Sequence, residues 1–354
     1  MRNKRPKIAV VCMVNDSQEY LSEFIFYHLN LVDHIFLIDH NSERDFRFLS
    51  IQNVTFIRSS QEAQFQSECT NIVIEHFDIK KKFDWLFVLD IDEFLPFTDK
   101  HVFHFFLNKH HNEHTIQFFW KNGVPFHKNQ RNLPSGLIDC CSIRFFPKNS
   151  INSKTFVNIK KVNGDFFVPT GAHRIDYMVR GFFSFNFFRR RYKCYPSFSC
   201  ELPLFHIVAF DKNSFVKKIK RYVEQMKYRE HIKGQGGWVV RNYPQSFEGE
   251  TWLWYIANFR VTNSDNFFEV KPQYFEEKSI FEHLQRDKII ALRKKILSLP
   301  RIHKIPVTEN EKKYISQKID DGDIFLNLQW FTIDDNNEVR ISIPRNLERK
   351  IWIY

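Results

Sequence analysis

The feature that most constrains this chain is an unbroken apolar run that ends in a cluster of acids. Trp85 to Leu89 are all apolar, and the sequence continues as Asp90-Ile91-Asp92-Glu93. A short apolar run bounded by charged residues is typical of a strand buried on both faces in the middle of a parallel sheet. Open α/β sheets bind their ligands at the carboxyl ends of such strands. The run therefore predicts a ligand site at this edge of a sheet.

The spacing of the first two acids predicts a metal. Asp90 and Asp92 are two residues apart, so in an extended chain both side chains point to the same side. Neighbouring carboxylates repel each other unless a cation lies between them, and Mg²⁺ or Mn²⁺ takes oxygen ligands and bridges phosphate oxygens. We expect Asp90 and Asp92 to hold such an ion together with a sugar-nucleotide diphosphate. The alternative is a pair of solvated turn residues, because D-x-D is short and also occurs by chance.

The residues before this run alternate between strand-like and helix-like patterns. Strands are expected at 7–14, 34–38 and 54–57, and helices at 18–31 and 62–77. Strands that alternate with helices predict a doubly wound α/β domain. Beyond the acids, a helix is expected at 98–108, with Thr98 or Asp99 as its cap.

Composition limits the class of partner and the compartment. The 354 residues suffice for a large core and one or two domains. A net charge of +11 suits an anionic partner, namely a nucleotide, an acidic glycan, an anionic membrane or nucleic acid. The 6 cysteines show no zinc spacing and fit a reducing cytosol. No stretch has the pattern of a signal peptide or a membrane span, so we expect a cytoplasmic protein.

Several motifs occur in a fixed order along the first quarter of the chain. They are Val14-Asn15-Asp16-Ser17-Gln18-Glu19-Tyr20-Leu21-Ser22-Glu23-Phe24, Tyr27-His28, Asp39-His40-Asn41-Ser42 and Asp90-Ile91-Asp92-Glu93-Phe94. This order resembles the glycosyltransferases of the GT-A fold, in family 2 and its relatives in family 92. The chain departs from their pattern where Val14-Asn15-Asp16 replaces Lys-Asn-Glu, where Phe24 replaces Trp and at one position after Asp39. The likeness covers residues 7–97 well and extends more loosely to about 235.

The resemblance implies a fold, a reaction and a cofactor. It implies a GT-A fold with a mixed central sheet flanked by helices, residues 1–235 as the catalytic domain and 236–354 as a mostly helical extension. It implies transfer of a hexose from a nucleotide diphosphate sugar to a hydroxyl of a glycan or lipid-linked saccharide, with inversion. The reaction would require Mn²⁺ or Mg²⁺.

The resemblance also implies roles at the nucleotide end of the site. Asp39, at the end of a strand, would accept hydrogen bonds from the base or ribose. The loop at Asn15 and Asp16, together with Asn41, would lie against the nucleotide. The alternative for Asp39 is an anchor of its own loop.

Two histidines are candidates to complete the metal shell, as in other GT-A enzymes. His206, at the end of an expected strand at 203–207, is the first choice, and His173 is the second. Neutral imidazole is a good ligand for Mn²⁺-like ions. A structural role is the alternative for each.

The remaining candidates are acids and bases. Glu93 is expected to point away from Asp90 and Asp92 and to support the metal site; the alternatives are a further metal ligand, a partner of a basic residue and a structural acid. We also keep it, with Glu248 and Glu250, among the candidate catalytic acids, because an inverting transferase needs one carboxylate base. On the basic helix expected at 213–231, Lys218 or Arg221 is a candidate to reach diphosphate, and a solvated face is the alternative.

The basic, aromatic segment 182–193 has three possible roles: contact with an anionic membrane surface at the inner face of the membrane, binding of an acidic acceptor, or packing against the rest of the protein. Two rival functions remain open at this point. One is a metal-dependent nucleotidyltransferase, and the other is a basic nucleic-acid-binding protein. The favoured interpretation expects a nucleotide sugar and a glycan or glycolipid as partners and no nucleic acid.

Overall fold

The main feature of the fold is a 12-stranded mixed sheet with helices packed on it. This confirms the α/β class. The structure is a computed structural model, and it describes residues 5–16, 18–61, 65–126, 136–140, 142–146, 150–162, 166–179, 191–226, 253, 276–304, 306, 308–320 and 328–342.

Strands and helices occur throughout the part of the chain that the structure describes. The strands are β1 Ile8–Val14, β2 His34–His40, β3 Val54–Ser59, β4 Trp85–Asp90, β5 Glu93–Phe94, β6 Thr115–Phe126, β7 Ser142–Phe145, β8 Ser153–Asn158, β9 Asp176–Val179, β10 Arg191–Cys194, β11 Ser197–Ile207, β12 Glu276–Lys278, β13 Phe331–Ile333 and β14 Glu338–Ile341. The helices are α1 Gln18–Leu29, α2 Gln66–His76, α3 Ile79–Lys82, α4 Lys100–Lys109, α5 Lys212–Met226, α6 Arg286–Ser298 and α7 Glu309–Asp320. Asp99 caps α4, because its side chain accepts a hydrogen bond from the Val102 amide at 2.9 Å.

The centre of the sheet is parallel. Strands β3, β2, β1 and β4 lie side by side in that order, and all run in the same direction. Beyond β4 the sheet becomes antiparallel, because β8 pairs in the opposite sense with both β4 and β6. Strand β11 then runs parallel to β6. The carboxyl ends of β1, β2 and β4 therefore meet at one edge.

Each face of the sheet has its own core. Along β1, Val10 lies in one core and Ala9 in the other, as the alternation of side chains requires. Helices α1, α4 and α6 cover the first face, and α2, α3 and α7 cover the second. Burial on both faces explains why β1 and β4 are almost continuously apolar.

Two features differ from the simple pattern expected. The sequence of residues 154–168 predicts two strands, of which β8 is the first; in place of the second, the described residues turn at 160–162 and form an isolated bridge between Phe167 and Asp176. The chain after residue 235 contributes strands as well as helices, because β12 pairs with β7 and β14 pairs with β3. Among the helices described, none is both long enough and apolar enough to cross a membrane.

Candidate active site

The candidate site lies where β4 ends. The chain turns at Ile91 and Asp92 and then forms β5, which pairs with β11 so that Glu93 lies opposite His206. The sequence interpretation assumed an extended chain between Asp90 and Asp92, and the turn shows that this assumption was wrong. The turn gives the two carboxylates different partners, and the strand pairing brings Asp92 close to His206.

Asp90 is held by two side chains and remains partly exposed. Its Oδ2 accepts a hydrogen bond from Lys154 Nζ at 2.8 Å, and its Oδ1 accepts one from Gln66 Nε2 at 3.0 Å. Lys154 comes from β8, and Gln66 is the first residue of α2. The carboxylate is 36% exposed, so it can still meet a ligand at the sheet edge.

Glu93 lies behind Asp90 and has no exposed surface. Its Oε2 accepts a hydrogen bond from the Asp90 amide at 2.8 Å and lies 3.6 Å from Lys154 Nζ. Burial raises the pKa of Glu93, although the Lys154 ammonium opposes the shift. This position suits an acid that supports Asp90, and it offers no direct contact with an acceptor.

Lys154 carries its charge inside the protein. Burial alone would lower its pKa, but the carboxylates of Asp90 and Glu93 outweigh burial and raise the pKa above its usual value. A fully buried lysine stays protonated only with such partners. Lys154 therefore supplies a permanent positive charge behind Asp90.

Asp92 is buried and faces two nitrogen groups through one oxygen atom. Its Oδ2 accepts a hydrogen bond from Lys218 Nζ and lies 3.7 Å from His206 Nε2. Burial alone would raise the pKa of Asp92, but Lys218 and His206 outweigh it and hold the pKa below its usual range. Asp92 is therefore ionised at neutral pH.

The ring of His206 is fixed by neighbours on β6. Its Nδ1 lies 2.9 Å from Asn122 Oδ1, and its ring packs on Trp120 with centroids 4.3 Å apart. Burial lowers the pKa of His206, so the ring is neutral at neutral pH. An amide oxygen at Nδ1 requires a hydrogen there, and the lone pair of the neutral ring is then on Nε2, which faces Asp92.

His173, the second histidine candidate, lies in a different setting. It is exposed, its Nδ1 lies 2.5 Å from the Ser153 carbonyl oxygen, and its ring meets the edge of Trp120 at 5.7 Å. Both histidines thus pack on Trp120, but His206 is the one that faces Asp92.

Asp39 has the partners of a loop anchor. Its Oδ2 accepts a hydrogen bond from Arg58 Nη1 at 2.8 Å, and its Oδ1 accepts one from the Ser42 amide at 3.2 Å. Asp39 has no exposed surface, and burial raises its pKa to about 6 against the opposing charge of Arg58. As the side chains stand, contact with a nucleotide would require the loop to move.

The loops after β1 and β2 are tied to one another. Asn15 Nδ2 donates to the His40 carbonyl oxygen at 2.6 Å, and the Asn41 amide donates to the Ser59 carbonyl oxygen at 2.7 Å. Asp16 Oδ2 accepts from Lys304 Nζ at 2.9 Å, so the chain after α6 reaches this edge. Asp16 and Asn41 have φ of 47° and 48°, a conformation that Asn and Asp adopt more readily than most residues.

The candidate bases Glu248 and Glu250 lie outside the described residues, as does the side chain of Arg221 and most of segment 182–193. Their roles stay predictions.

A divalent ion fits the donor set that the site offers. Among the described residues no group of three His, Cys, Asp or Glu side chains could hold a metal. Mg²⁺, however, is commonly held by one or two carboxylates together with substrate phosphates and water. Cis ligands of an octahedral ion at about 2.1 Å lie about 3.0 Å apart, so Asp92 Oδ2 and His206 Nε2, now 3.7 Å apart, would have to approach each other by about 0.7 Å. The chemistry of this pair therefore fits Mn²⁺ or Mg²⁺.

Sequence reasoning missed Lys154 and Asn122. Both are buried and each contacts a candidate ligand. Lysine is almost never fully buried without a partner, but β8 reads Ser-Lys-Thr-Phe-Val-Asn, and nothing in so polar a strand marks Lys154 as buried. The sequence could not tell which acid that partner is, because the two residues are far apart in the chain.

Comparisons with known proteins do not assign this chain to a family. No family model matches the chain, and no curated protein matches it significantly. The fold and the site define the class as far as an α/β protein in which acids, lysines and a histidine meet at the carboxyl edge of a parallel sheet.

Proposed function

We propose that this protein is a GT-A glycosyltransferase that moves a hexose from a nucleotide diphosphate sugar to a hydroxyl group of a glycan or lipid-linked saccharide, with inversion. One observation carries the proposal: Asp92 Oδ2 lies 3.7 Å from the Nε2 of a neutral, buried His206 at the carboxyl edge of β4. Sheets of this type bind nucleotides at that edge. The order of motifs in the sequence supports the same reaction.

Asp92 and His206 would hold the divalent ion. When bound, the ion neutralises the negative charge that develops on the leaving diphosphate. Asn122 keeps His206 in the tautomer that presents Nε2. These side chains are already fixed by burial and hydrogen bonds, so they would need little rearrangement.

Asp90 would contact the donor from the same edge. Lys154 and Gln66 hold its carboxylate in place, and Glu93 holds its backbone amide. Its exposed part would accept a hydrogen bond from a hydroxyl of the donor. The proton of the acceptor would pass to a carboxylate base, for which Glu248 and Glu250 are the candidates.

The proposal is tested by thermal denaturation with a panel of nucleotide sugars and MnCl₂, followed by assays of nucleoside diphosphate release. We expect one donor to raise the melting temperature and to be turned over. Asp92→Asn should lower turnover by about 100-fold or more, since a preorganised electrostatic group commonly contributes that much. Asp335→Asn, which removes an exposed acid in the β13–β14 turn, is the matched control.

Circular dichroism of Asp92→Asn must show a folded protein for the result to count. If no nucleotide sugar is bound or turned over, or if Asp92→Asn keeps full turnover, the proposal is wrong. Release of pyrophosphate from a nucleoside triphosphate would favour a nucleotidyltransferase instead. Tight, salt-sensitive binding of nucleic acid that survives Asp92→Asn would favour a nucleic-acid-binding protein.

A further inference from the structure

The two lysines at the site differ in one physical property. Lys154 has no exposed surface, whereas the side chain of Lys218 is 49% exposed. Lys154 is enclosed by β4, β6 and β8, so it cannot leave its carboxylates without disturbing the sheet. Lys218 reaches Asp92 from the surface of α5, and its other partner among the described residues is the Val208 carbonyl oxygen at 3.0 Å, which water can replace.

Lys218 binds the same carboxylate oxygen that faces the histidine. Asp92 Oδ2 accepts from Lys218 Nζ, and His206 Nε2 lies 3.7 Å from the same oxygen. This separation is too long for a hydrogen bond between the two side chains. The carboxylate of Asp92 is buried and needs a cation beside it, and Lys218 Nζ is the cation that contacts its Oδ2.

We propose that Lys218 is the resident cation of this site, and that a divalent ion displaces it from Asp92. The inference rests on the proposed function, because it concerns the same Asp92–His206 pair. Once displaced, the ammonium of Lys218 remains at the mouth of the site, where an incoming diphosphate can bind it. Lys218 is thus a positioning residue that couples metal binding to donor binding.

Because Lys218 occupies Asp92, it should weaken the binding of Mn²⁺ even in the absence of any nucleotide. In the wild-type protein, Mn²⁺ must break the Lys218–Asp92 ion pair before it binds. In Lys218→Met this competition is absent, so Mn²⁺ should bind more tightly. Loss of one hydrogen bond to a charged group commonly changes an equilibrium constant by about 10-fold or more, and we expect a gain in Mn²⁺ affinity of at least about 10-fold.

The test is titration of the full-length protein with Mn²⁺ alone, with free Mn²⁺ followed by electron paramagnetic resonance. Lys217→Met is the matched control, because Lys217 is an exposed lysine on the same helix and the substitution is identical. Lys218→Arg should keep the weak affinity of the wild type, since a cation remains. The double variant Lys218→Met/Asp92→Asn should lose the tight site, which places the ion at Asp92.

Equal or weaker Mn²⁺ affinity in Lys218→Met would overturn the inference, and so would tight binding that survives in the double variant. Turnover of nucleotide sugar is measured on the same preparations. If Mn²⁺ affinity rises as expected but no nucleotide sugar is turned over, the proposed function fails and the exchange of cations stands. If turnover occurs and Lys218→Met leaves Mn²⁺ affinity unchanged, only the exchange fails.

Discussion

The clearest test of the charge arrangement behind the site is Lys154→Met. Lys154 is fully buried, 2.8 Å from Asp90 Oδ2 and 3.6 Å from Glu93 Oε2. Methionine keeps the volume and the apolar part of the side chain but removes the charge. The variant therefore leaves one buried and one partly buried carboxyl group without their cation.

The expected loss follows from the distances. At an effective dielectric constant of about 20, unit charges at these separations attract each other by about 5–6 kcal/mol per pair. Much of that attraction is offset by the cost of burying the ammonium, and the raised pKa of Glu93 allows it to take up a proton when its partner is lost. Removal of one partner of a buried ion pair commonly costs about 3–5 kcal/mol, and we expect Lys154→Met to fall in that range.

Urea denaturation at pH 7.5 measures the loss, with tryptophan fluorescence and circular dichroism as probes. Lys160→Met is the matched control, because Lys160 pairs with Asp84 at 2.6 Å while it is 62% exposed. An exposed pair contributes less than about 1 kcal/mol. Since a domain is stable by only about 5–15 kcal/mol in total, Lys154→Met should show a clear fall in the urea midpoint.

Glu93→Gln tests the same charge arrangement through the carboxylate partner of Lys154. In the Lys154→Met background, it removes the fully buried negative charge and should restore about 1–3 kcal/mol. The deficit of Lys154→Met should also shrink as the pH falls from 7.5 to 5, because an unpaired buried carboxyl group then keeps its proton. A loss below about 1 kcal/mol in Lys154→Met, or no recovery in the double variant, would refute the reasoning.

Three further predictions concern the same fold. The pKa of Asp92 is lower in the folded protein than in the unfolded chain, so its ionised form stabilises the protein above the pKa of an unfolded aspartate. That contribution is lost as the pH falls below about 4, so the difference in melting temperature between the wild type and Asp92→Asn should shrink from pH 6 to pH 3. A constant difference would contradict this prediction. Tyr27→Phe should lower the free energy of unfolding, measured by urea denaturation, by about 1–2 kcal/mol, because the buried Tyr27 hydroxyl donates a hydrogen bond to the Leu95 carbonyl oxygen at 2.6 Å. An unchanged urea midpoint would show that this hydrogen bond does not stabilise the protein. Arg293→Met should lower the free energy of unfolding by about 3 kcal/mol or more in urea denaturation, because it leaves Glu23 buried without its guanidinium. Replacement of Glu23 by Gln as well should reduce the loss but not abolish it, because Arg293 also pairs with Asp139 at 3.0 Å; an equal loss in the double variant would contradict this.

Much of the parallel half of the sheet was predictable because its signals are local. The apolar runs at β1 and β4 and the helical spacing of α1 each lie within about a dozen residues, so their bounds agree with the structure to within a few residues. The antiparallel half was less predictable. The stretch 154–168 predicted a strand at β8, but the late strands β13 and β14 take their places through contacts with distant residues, and no local pattern specifies them.

The candidate site likewise has residues that the sequence predicts and contacts that it does not. The acids at Asp90 and Asp92 follow from the strand that leads into them, but their partners do not. The sequence left two roles open for Asp39, and the parallel register decides its contacts by setting Arg58 opposite it on β3. A register between two strands is a property of the assembled sheet and cannot be read from either strand alone.

The charge balance at the edge of β4 explains why metal and diphosphate should bind together. The carboxylates of Asp90 and Asp92 are matched by the ammonium groups of Lys154 and Lys218, and Glu93 beside Lys154 adds one negative charge when it is ionised, so the ligand-free cluster carries a net charge of 0 or −1. A divalent ion that arrives alone raises this charge by two, and in a partly buried place such an excess is costly. A nucleotide diphosphate sugar carries two negative charges at neutral pH, so the ion and the donor together restore the balance. Reciprocal coupling follows, in which the donor strengthens metal binding by the same factor by which the metal strengthens donor binding.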